Sequence, residues 1–402
     1  MRNTHRPPSL RHTTAILAAA LALCLSGVAW SAAPPASTKD RLWMSTNYLE
    51  HPEEGLYELQ YHAPTGLVFA SVMDRVRRDD NLGYLYAFDG RTLDIKGRYA
   101  MPYRAFSLTQ DAKGQWLYVG HTQAASLRIS KVDPRTGKVM RTSERLHVDP
   151  SEPQHEHLRH IVHSAQTGEL FTAYIGSVKE NDKYRSFYKL LILDGETLHI
   201  KGEIENAFPS VGYALHLDRG TGHLFTAGSD YINEIDPVTR KIVHTIRLDD
   251  SIKPRVNNLV GLAVDAQGHR IFASQFIHQP RPGDEDEQDG LYVFDQKSGQ
   301  QLAFVPTGKG GVTLAYSPKH DEIYVSNFNS GTISVVNGKT YEITQQIPAH
   351  VFPNMMALAA DESALYVGLK QGFNKMWNPD EFVEGAKEQI LRVTLDKDAA
   401  KG

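Results

Sequence analysis

A short apolar segment with an aromatic residue near its start recurs seven times along this chain of 402 residues. Successive aromatic residues are 49, 53, 54, 47, 52 and 42 positions apart. Repeats of this length build folds in which each unit buries its hydrophobic faces against its neighbours. The repeat therefore restricts the chain to repeat architectures. The seven aromatic residues are Phe69, Tyr118, Phe171, Phe225, Phe272, Tyr324 and Tyr366.

Each repeat has the pattern of four short strands. The aromatic segment follows a turn such as PTG at 64–66 or QTG at 166–168, and an apolar run precedes that turn, which is typical of a hairpin. A third strand ends at an acidic or amide residue, and a turn rich in Thr, Gly and Lys leads to a fourth strand. We expect the side chains at these ends to accept a hydrogen bond from the backbone two residues later. They are Asp89, Asp133, Asp194, Asp236, Asp295 and Asn337.

Seven repeats of four strands are typical of a β-propeller, in which the blades surround a central channel. No longer stretch has the 3.6-residue period of a helix, which disfavours an α/β fold. The last repeat ends after its third strand, at 389–395, and a strand candidate at 41–47 precedes the first repeat. We therefore predict an all-β fold: a seven-bladed β-propeller with four antiparallel strands per blade. The N-terminal strand is expected to complete the C-terminal blade and close the ring.

The repeats also carry a family resemblance. The pattern LYVxxxxxxxVxVxDxxTxKVxxxI, clearest at 117–139 and 323–347, resembles the YVTN-type propeller repeat. The closing segment PNMMALAADESALYVGLKQ at 353–371, together with the exported single-domain layout, is similar to the YncE-like periplasmic proteins. This resemblance covers essentially all of the chain after its leader. It implies the propeller fold and says little about function, because the repeated residues build blades rather than chemistry.

Residues 1–31 are predicted to be a secretory signal peptide. A basic segment precedes an uninterrupted apolar run of 11 residues at 15–25, which is too short to span a bilayer. Small side chains at Ala29 and Ser31 place the cleavage site between Ser31 and Ala32. We therefore expect a periplasmic or secreted protein without a membrane anchor.

The remaining chain is predicted to form one domain. Residues 32–40 are expected to be a flexible leader, 41–395 the propeller and 396–402 a C-terminal tail. The single cysteine, Cys24, lies in the predicted signal peptide, so the mature chain has no disulfide and no thiolate ligand. The mature chain has 40 basic and 47 acidic residues, a net charge of −7, which argues against nucleic acids and anionic membranes as partners. We expect a monomer.

Polar residues at the ends of predicted strands form the candidate site. They precede the inner strands or end the second strands, and both positions lie on one face of a propeller, around the channel mouth. We predict a polar funnel there that binds a small anion or a peptide carboxylate through Arg104 and Arg159. The alternative is that these side chains bond to neighbouring blades and channel water. The other candidates are His121, His160, Asn257, Gln275, Asn327 and Asn354.

Two further observations concern the same face. Long loops predicted at 74–82, 176–186, 275–290 and 370–388 favour a recognition surface there. We also expect that Arg104 and Arg159 can both be replaced by Ala with folding nearly intact.

Four histidines within nine residues, at 155–163, suggest a second kind of site. The segment is not the HExxH motif, because Arg159 occupies the position of its second histidine. A transition metal bound by His155, His157 and His160, with ligands from other blades, is therefore an alternative. Apart from this possibility, no cofactor is expected.

The sequence favours a non-catalytic function. It contains no GxSxG motif, and no thiol remains after cleavage. We predict a binding or scaffold module whose loops present a surface to an unknown protein, peptide or small-molecule ligand. The alternative is a metal-assisted hydrolase, a lactonase-like enzyme or a metal-handling protein that uses the histidines at the channel mouth.

Overall fold

The computed structural model describes residues 43–74, 82–122, 127–146, 155–180, 183–208, 212–228, 231–248, 257–277, 289–349, 352–371, 383 and 385–396. The predicted signal peptide and leader, and all of the predicted tail except Asp396, lie outside these residues. Within the described ranges no helix is present that could cross a membrane.

The described residues form 28 strands in seven four-stranded antiparallel sheets. The strands are β1 (Trp43–Asn47), β2 (Glu54–His62), β3 (Leu67–Asp74), β4 (Gly83–Asp89), β5 (Ile95–Met101), β6 (Ala105–Gln110), β7 (Leu117–His121), β8 (Ile129–Val132), β9 (Val139–Thr142), β10 (His155–His163), β11 (Glu169–Glu180), β12 (Lys183–Asp194), β13 (Ile200–Ile204), β14 (Gly212–Leu217), β15 (Leu224–Gly228), β16 (Tyr231–Asp236), β17 (Lys241–Arg247), β18 (Asn257–Asp265), β19 (Arg270–Ile277), β20 (Gly290–Asp295), β21 (Gln301–Pro306), β22 (Gly311–Ser317), β23 (Glu322–Asn327), β24 (Thr332–Asn337), β25 (Ile343–Pro348), β26 (Phe352–Leu358), β27 (Ala364–Lys370) and β28 (Gln389–Thr394).

The sheets are the blades of a seven-bladed β-propeller, as the repeats predict. Blade one is β2–β5, and each later blade begins with the next group of strands, so that the first strands are β2, β6, β10, β14, β18, β22 and β26. Each first strand contacts the first strand of the next blade, and β26 contacts β2. The first strands therefore form a closed ring around the channel. We call the face where they begin the channel mouth, and the face where they end the channel exit.

The N-terminal strand closes the ring. Blade seven has the order β26-β27-β28-β1, and β1 pairs antiparallel with β28 from Trp43 opposite Val393 to Asn47 opposite Gln389. The Ser45 hydroxyl also donates to Oε1 of Gln389 over 2.8 Å. The predicted closure, in which the first strand completes the last blade, is confirmed.

A β-bulge interrupts every first strand where it pairs with the second strand. A bulge turns backbone groups out of the ladder, so these groups need other partners. Hydroxyl groups on the second strands supply them: Ser71 Oγ accepts from the Glu58 amide over 3.0 Å, and Thr172 Oγ1 donates to the His160 carbonyl over 3.1 Å. Ser71 Oγ also donates to the Phe106 carbonyl in blade two over 2.5 Å, which links adjacent blades.

The turns between third and fourth strands have the predicted acceptors. Oδ1 of Asp89 accepts from the backbone amides of Arg91 and Thr92 at 2.9 and 3.0 Å. These bonds favour the ionised carboxylate and lower the pKa of Asp89. Five other side chains accept an equivalent bond from the backbone amide of the second or third residue after them: Asp133, Asp194, Asp236, Asp295 and Asn337.

Tyrosines of the second strands connect blades at the channel exit. In the middle of the ring, Tyr118 of blade two donates its hydroxyl to the Gly195 carbonyl of blade three over 3.0 Å. At the closure, Tyr366 of blade seven donates to the Gly90 carbonyl of blade one over 2.6 Å. Gly90 also accepts from Nε of Arg392 over 3.0 Å. The junction between the last and first blades thus repeats a contact found within the ring.

Tyr118→Phe is expected to lower the free energy of unfolding by about 1 kcal/mol, because it removes one buried hydrogen bond and keeps the aromatic side chain. Tyr366→Phe is expected to lower the free energy of unfolding by no more than Tyr118→Phe does, since Arg392 still donates to the Gly90 carbonyl. Urea denaturation of the two variants and the native protein measures both changes. Unchanged stability in Tyr118→Phe would show that this contact contributes nothing.

One loop prediction is wrong. The segment 176–186 in blade three was expected to be a long loop, but β11 runs to Glu180 and β12 begins at Lys183. The two strands pair along their whole length, from Glu169 opposite Asp194 to Glu180 opposite Lys183. Strand pairing satisfies the backbone of this segment, and the result is a long hairpin on the mouth side. Most of the other three predicted loops, including the acidic segment 283–288, lies outside the described residues.

Candidate functional site

Two buried aromatic rings lie at the channel mouth. Tyr57, near the start of β2, and Phe106, near the start of β6, have ring centroids 4.3 Å apart. With Met73 at the end of β3 they form a small hydrophobic cluster of their own. First strands begin and second strands end at this face, which explains why residues so distant in sequence meet here.

Cationic side chains surround this aromatic pair. Nζ of Lys370, at the end of β27, lies 3.6 Å from the Tyr57 ring centroid, and the guanidinium carbon of Arg159, in β10, lies 5.3 Å from that of Phe106. These distances are those of cation–π contacts, which hold a cation where water is partly excluded. Lys370 is only 1% exposed, whereas Arg159 is half-buried. Sequence reasoning identified Arg159 but missed Lys370, Tyr57 and Phe106, because they resemble ordinary strand residues.

Arg104 lies directly before β6 at the same face. Its side chain is 1% exposed, and its carbonyl accepts from the Thr122 amide over 3.2 Å. Truncating a side chain so large and so buried leaves a cavity. The expectation that Arg104 can be replaced by Ala with folding nearly intact is therefore revised, and it is kept only for the half-buried Arg159.

His157 joins the aromatic pair as a neutral group. Its ring centroid is 4.9 Å from that of Phe106, and its Nδ1 is hydrogen-bonded to the Thr122 hydroxyl. Burial lowers the pKa of His157 well below the usual range of a histidine, and the positive charge of Arg159 lowers it further. The positive charge at the mouth therefore comes from arginine and lysine side chains.

The histidines of β10 point to different partners. His157 meets Thr122, whereas Nδ1 of His160 lies 3.1 Å from Oε1 of Glu58. The bulge between Leu158 and Ile161 falls between these histidines and changes the alternation of side chains along the strand. In the part of the chain that the structure describes, no three His, Cys, Asp or Glu side chains are grouped so that they could hold a metal ion. The side chain of His155 lies outside that part.

Glu58 connects three blades. Its Oε2 accepts from the Leu108 amide in blade two over 2.6 Å, while its Oε1 faces His160 of blade three. His160, proposed from the sequence as a ligand-binding residue, is thus in a close contact between blades one and three.

Two other candidates bond within their own blades. Nε2 of His121 is 2.8 Å from the Ser130 hydroxyl, and burial lowers the pKa of His121 to about 3. The Asn327 side chain donates to the Thr307 carbonyl over 3.1 Å and to the Ser334 hydroxyl over 2.9 Å. Both side chains therefore have structural partners, although the alternative raised for such residues named neighbouring blades and channel water.

The remaining candidates belong to blades five and seven. Gln275 is buried in β19, Asn354 is half-buried in β26, and Asn257 begins β18 with its side chain outside the described residues.

A cavity lies at the channel exit, and it was not predicted from the sequence. It has a volume of about 210 Å³ and lies between the ends of β6, β10 and β14. Its residues come from three repeats and form no local motif, but alignment of the repeats could have placed them at corresponding positions, since Gln110, His163 and His216 follow one another at intervals of 53 residues. We call it the exit cleft; its lining includes Gln110, Val162, His163, Leu215, His216 and Arg219.

Comparison with known proteins gives relatives without an assigned activity. No family model matches the chain. A Salmonella typhi protein described as "Uncharacterized protein YncE" is 27% identical over 353 residues, covering 85% of this chain and 89% of the relative. The protein of the same description from Escherichia coli (strain K12) is 24% identical over 352 residues, with the same coverage.

A solved structure supports the fold alone. It is described as Kuenenia stuttgartiensis Hydrazine Synthase, and it superposes with a TM-score of 0.60 at 13% identity. The match covers 79% of this chain and 93% of that chain.

Proposed function

Since the chain is a YncE-like seven-bladed β-propeller, we propose that it is a non-catalytic binding module that captures an anionic ligand at the channel mouth. The ligand class is a carboxylate, either of a small molecule or of a peptide C-terminus. In this proposal the protein works as a monomer in the periplasm or outside the cell, after removal of the predicted signal peptide.

The cations held on the Tyr57–Phe106 pair carry the proposal. Lys370 and Arg159 come from blades seven and three, and both contact this pair, which joins blades one and two. Four blades thus position two positive charges in a partly water-excluded place, where a carboxylate interacts more strongly than in bulk water. An arginine can also bind a carboxylate through two parallel hydrogen bonds. The overall net charge is −4, so general electrostatic attraction does not explain anion binding.

The metal-dependent alternative has less support. His157 and His160 direct their Nδ1 atoms toward Thr122 and Glu58, which belong to different blades. A metal-assisted hydrolase or metal-handling protein needs ligands that converge on one point. Their Nε2 atoms remain available to a metal, but among the described residues no three His, Cys, Asp or Glu side chains are grouped around one point.

Arg159→Gln is expected to weaken carboxylate binding about ten-fold or more, because the substitution removes a charge-assisted hydrogen bond and keeps the size of the side chain. Isothermal titration calorimetry with an N-acetylated tripeptide and with its C-terminal amide measures this. The native protein should prefer the free acid, and the variant should lose that preference.

Arg247→Gln is the matched control. Arg247 also lies near an aromatic ring, 5.5 Å from the Tyr231 ring centroid, but it belongs to blade four. This variant should bind the acid as the native protein does. Equal binding of acid and amide by the native protein would exclude carboxylate capture.

A further inference from the structure

The exit cleft is a separate site from the channel mouth. Its lining residues lie at the C-terminal ends of β6, β10 and β14, which are the first strands of blades two, three and four. The mouth residues Tyr57 and Phe106 lie near the beginnings of such strands. A volume of about 210 Å³ is below the usual range of pockets for drug-sized ligands, and at about 30 Å³ per water it corresponds to roughly seven waters. The cleft therefore fits a small molecule.

Gln110 supplies a buried polar atom without a partner. Its Oε1 has no contact with solvent and no hydrogen bond among the described residues. Leaving such an acceptor unsatisfied is unfavourable. If the Gln110 amide turns toward the cleft, a ligand hydroxyl can donate to Oε1 and remove the penalty. This atom indicates a ligand that carries a hydrogen-bond donor.

The lining of the cleft carries one cation, and the carboxylates of Asp111 and Asp218 lie close behind its two histidines. Burial lowers the pKa of His216 to about 4, and it also lowers the pKa of His163, so both rings are neutral near pH 7. The neighbouring Asp218 carboxylate is occupied by the backbone amides of Gly220 and Thr221 and by the Thr221 hydroxyl. Arg219 is thus the charged group of the lining. A single positive charge matches a ligand with a single negative charge better than a dianion.

Apart from Thr109, the remaining lining is apolar. Val162 and Leu215 place methyl groups beside the polar atoms, and contact with a short alkyl group would bury them further. The combination of an orphan acceptor, one cation and an apolar wall describes a small molecule with a hydroxyl, a carboxylate and a short carbon chain.

We propose that the exit cleft binds a small hydroxy monocarboxylate, with the carboxylate at Arg219, the hydroxyl at Gln110 and the alkyl group against Val162 and Leu215. This site is independent of carboxylate capture at the mouth. It gives the propeller one ligand site at each end of its channel.

Calorimetric titration of the full chain with lactate tests the proposal, with three comparison probes. Methyl lactate lacks the charge, propionate lacks the hydroxyl, and inorganic phosphate carries a higher charge near pH 7. Lactate should bind with saturation at ~10 mM or below, which corresponds to a Kd near 1 mM or tighter. Methyl lactate and phosphate should not saturate in this range, and propionate should bind more weakly than lactate.

Variants assign the binding to the cleft. Arg219→Gln should weaken lactate binding about ten-fold or more. Arg135→Gln, which removes an exposed arginine from a turn of blade two, should leave it unchanged. Gln110→Leu should remove the preference for lactate over propionate.

Specific outcomes would overturn the proposal. It fails if lactate does not bind, if methyl lactate or phosphate binds as well as lactate, or if Arg219→Gln binds lactate like the native protein. Loss of lactate binding in Arg159→Gln but not in Arg219→Gln would place lactate at the mouth, so the exit site would be rejected while the proposed function stands. Normal lactate binding in Arg159→Gln, combined with equal binding of the acid and amide peptides by the native protein, would reject only the proposed function.

Discussion

Deletion of residues 41–47 is expected to lower the melting temperature by about 10 °C. This deletion removes β1, which pairs with β28 at five positions. At about 1 kcal/mol per hydrogen bond, the loss is roughly 5 kcal/mol, and a large domain shifts by about 2 °C for each kcal/mol. Differential scanning calorimetry measures the shift. Because the deletion also exposes the edge of β28, the variant should self-associate, which sedimentation velocity would detect.

Deletion of residues 32–38 is the matched control, since the sequence predicts that this segment lies outside the propeller. This variant should melt like the native mature protein and remain in the same oligomeric state. If the two deletions gave the same melting temperature and the same sedimentation profile, β1 would not stabilise the ring.

Acidification from pH 7 to pH 5 is expected to lower the free energy of unfolding by about 4 kcal/mol through two buried histidines alone. Burial lowers the pKa of His121 to about 3 and that of His216 to about 4. In the unfolded chain both titrate near 6.5. At pH 5 the unfolded state has therefore taken up protons that the folded state excludes, at a cost of about 2 kcal/mol for each ring.

The sign follows from the lowered pKa values. Their contribution to stability is fully present above pH 6.5 and is lost progressively as the pH falls toward the pKa values in the folded protein. The turn carboxylates, such as Asp89 and Asp133, also have lowered pKa values, but their contribution is lost only below about pH 4. The pH range in which the histidines reduce stability is therefore separate from the range in which the turn carboxylates do so.

Urea denaturation at several pH values between 5 and 8 measures this dependence. His121→Gln should reduce the loss between pH 7 and pH 5 by about 2 kcal/mol, whatever its effect on stability at pH 7. His51→Gln is the control, since the His51 side chain is 56% exposed and should not change the slope. An identical pH dependence in His121→Gln and the native protein would contradict the assignment.

The fold was predictable because its signals are local and repeated. An aromatic residue at each second strand and an acceptor such as Asp133 at each tight turn recur often enough to define seven blades. The strand at 41–47 was also predictable, since the last repeat lacked a fourth strand. The hairpin at 176–186 was missed because its segment has no regular alternation that distinguishes a strand from a loop.

The candidate site was only partly predictable because its contacts join distant parts of the chain. Arg159 could be selected by its charge, but its neighbour Phe106 belongs to another repeat. The contacts that His157 and His160 make depend on a bulge that the sequence did not reveal. The exit cleft depends on Gln110 and Arg219, which lie in different repeats and form no motif together.

The pairing of the first and last strands has a consequence for the order of folding. Ser45 and Gln389 are separated by 344 residues, so their contact closes one of the longest loops in the described part of the molecule. The entropy lost on closing a loop grows with its length, and contacts between distant residues slow folding. Six blades can each assemble from one continuous segment, whereas blade seven must wait until both ends of the chain are present. We therefore expect ring closure to come late in folding, because it needs both ends of the chain.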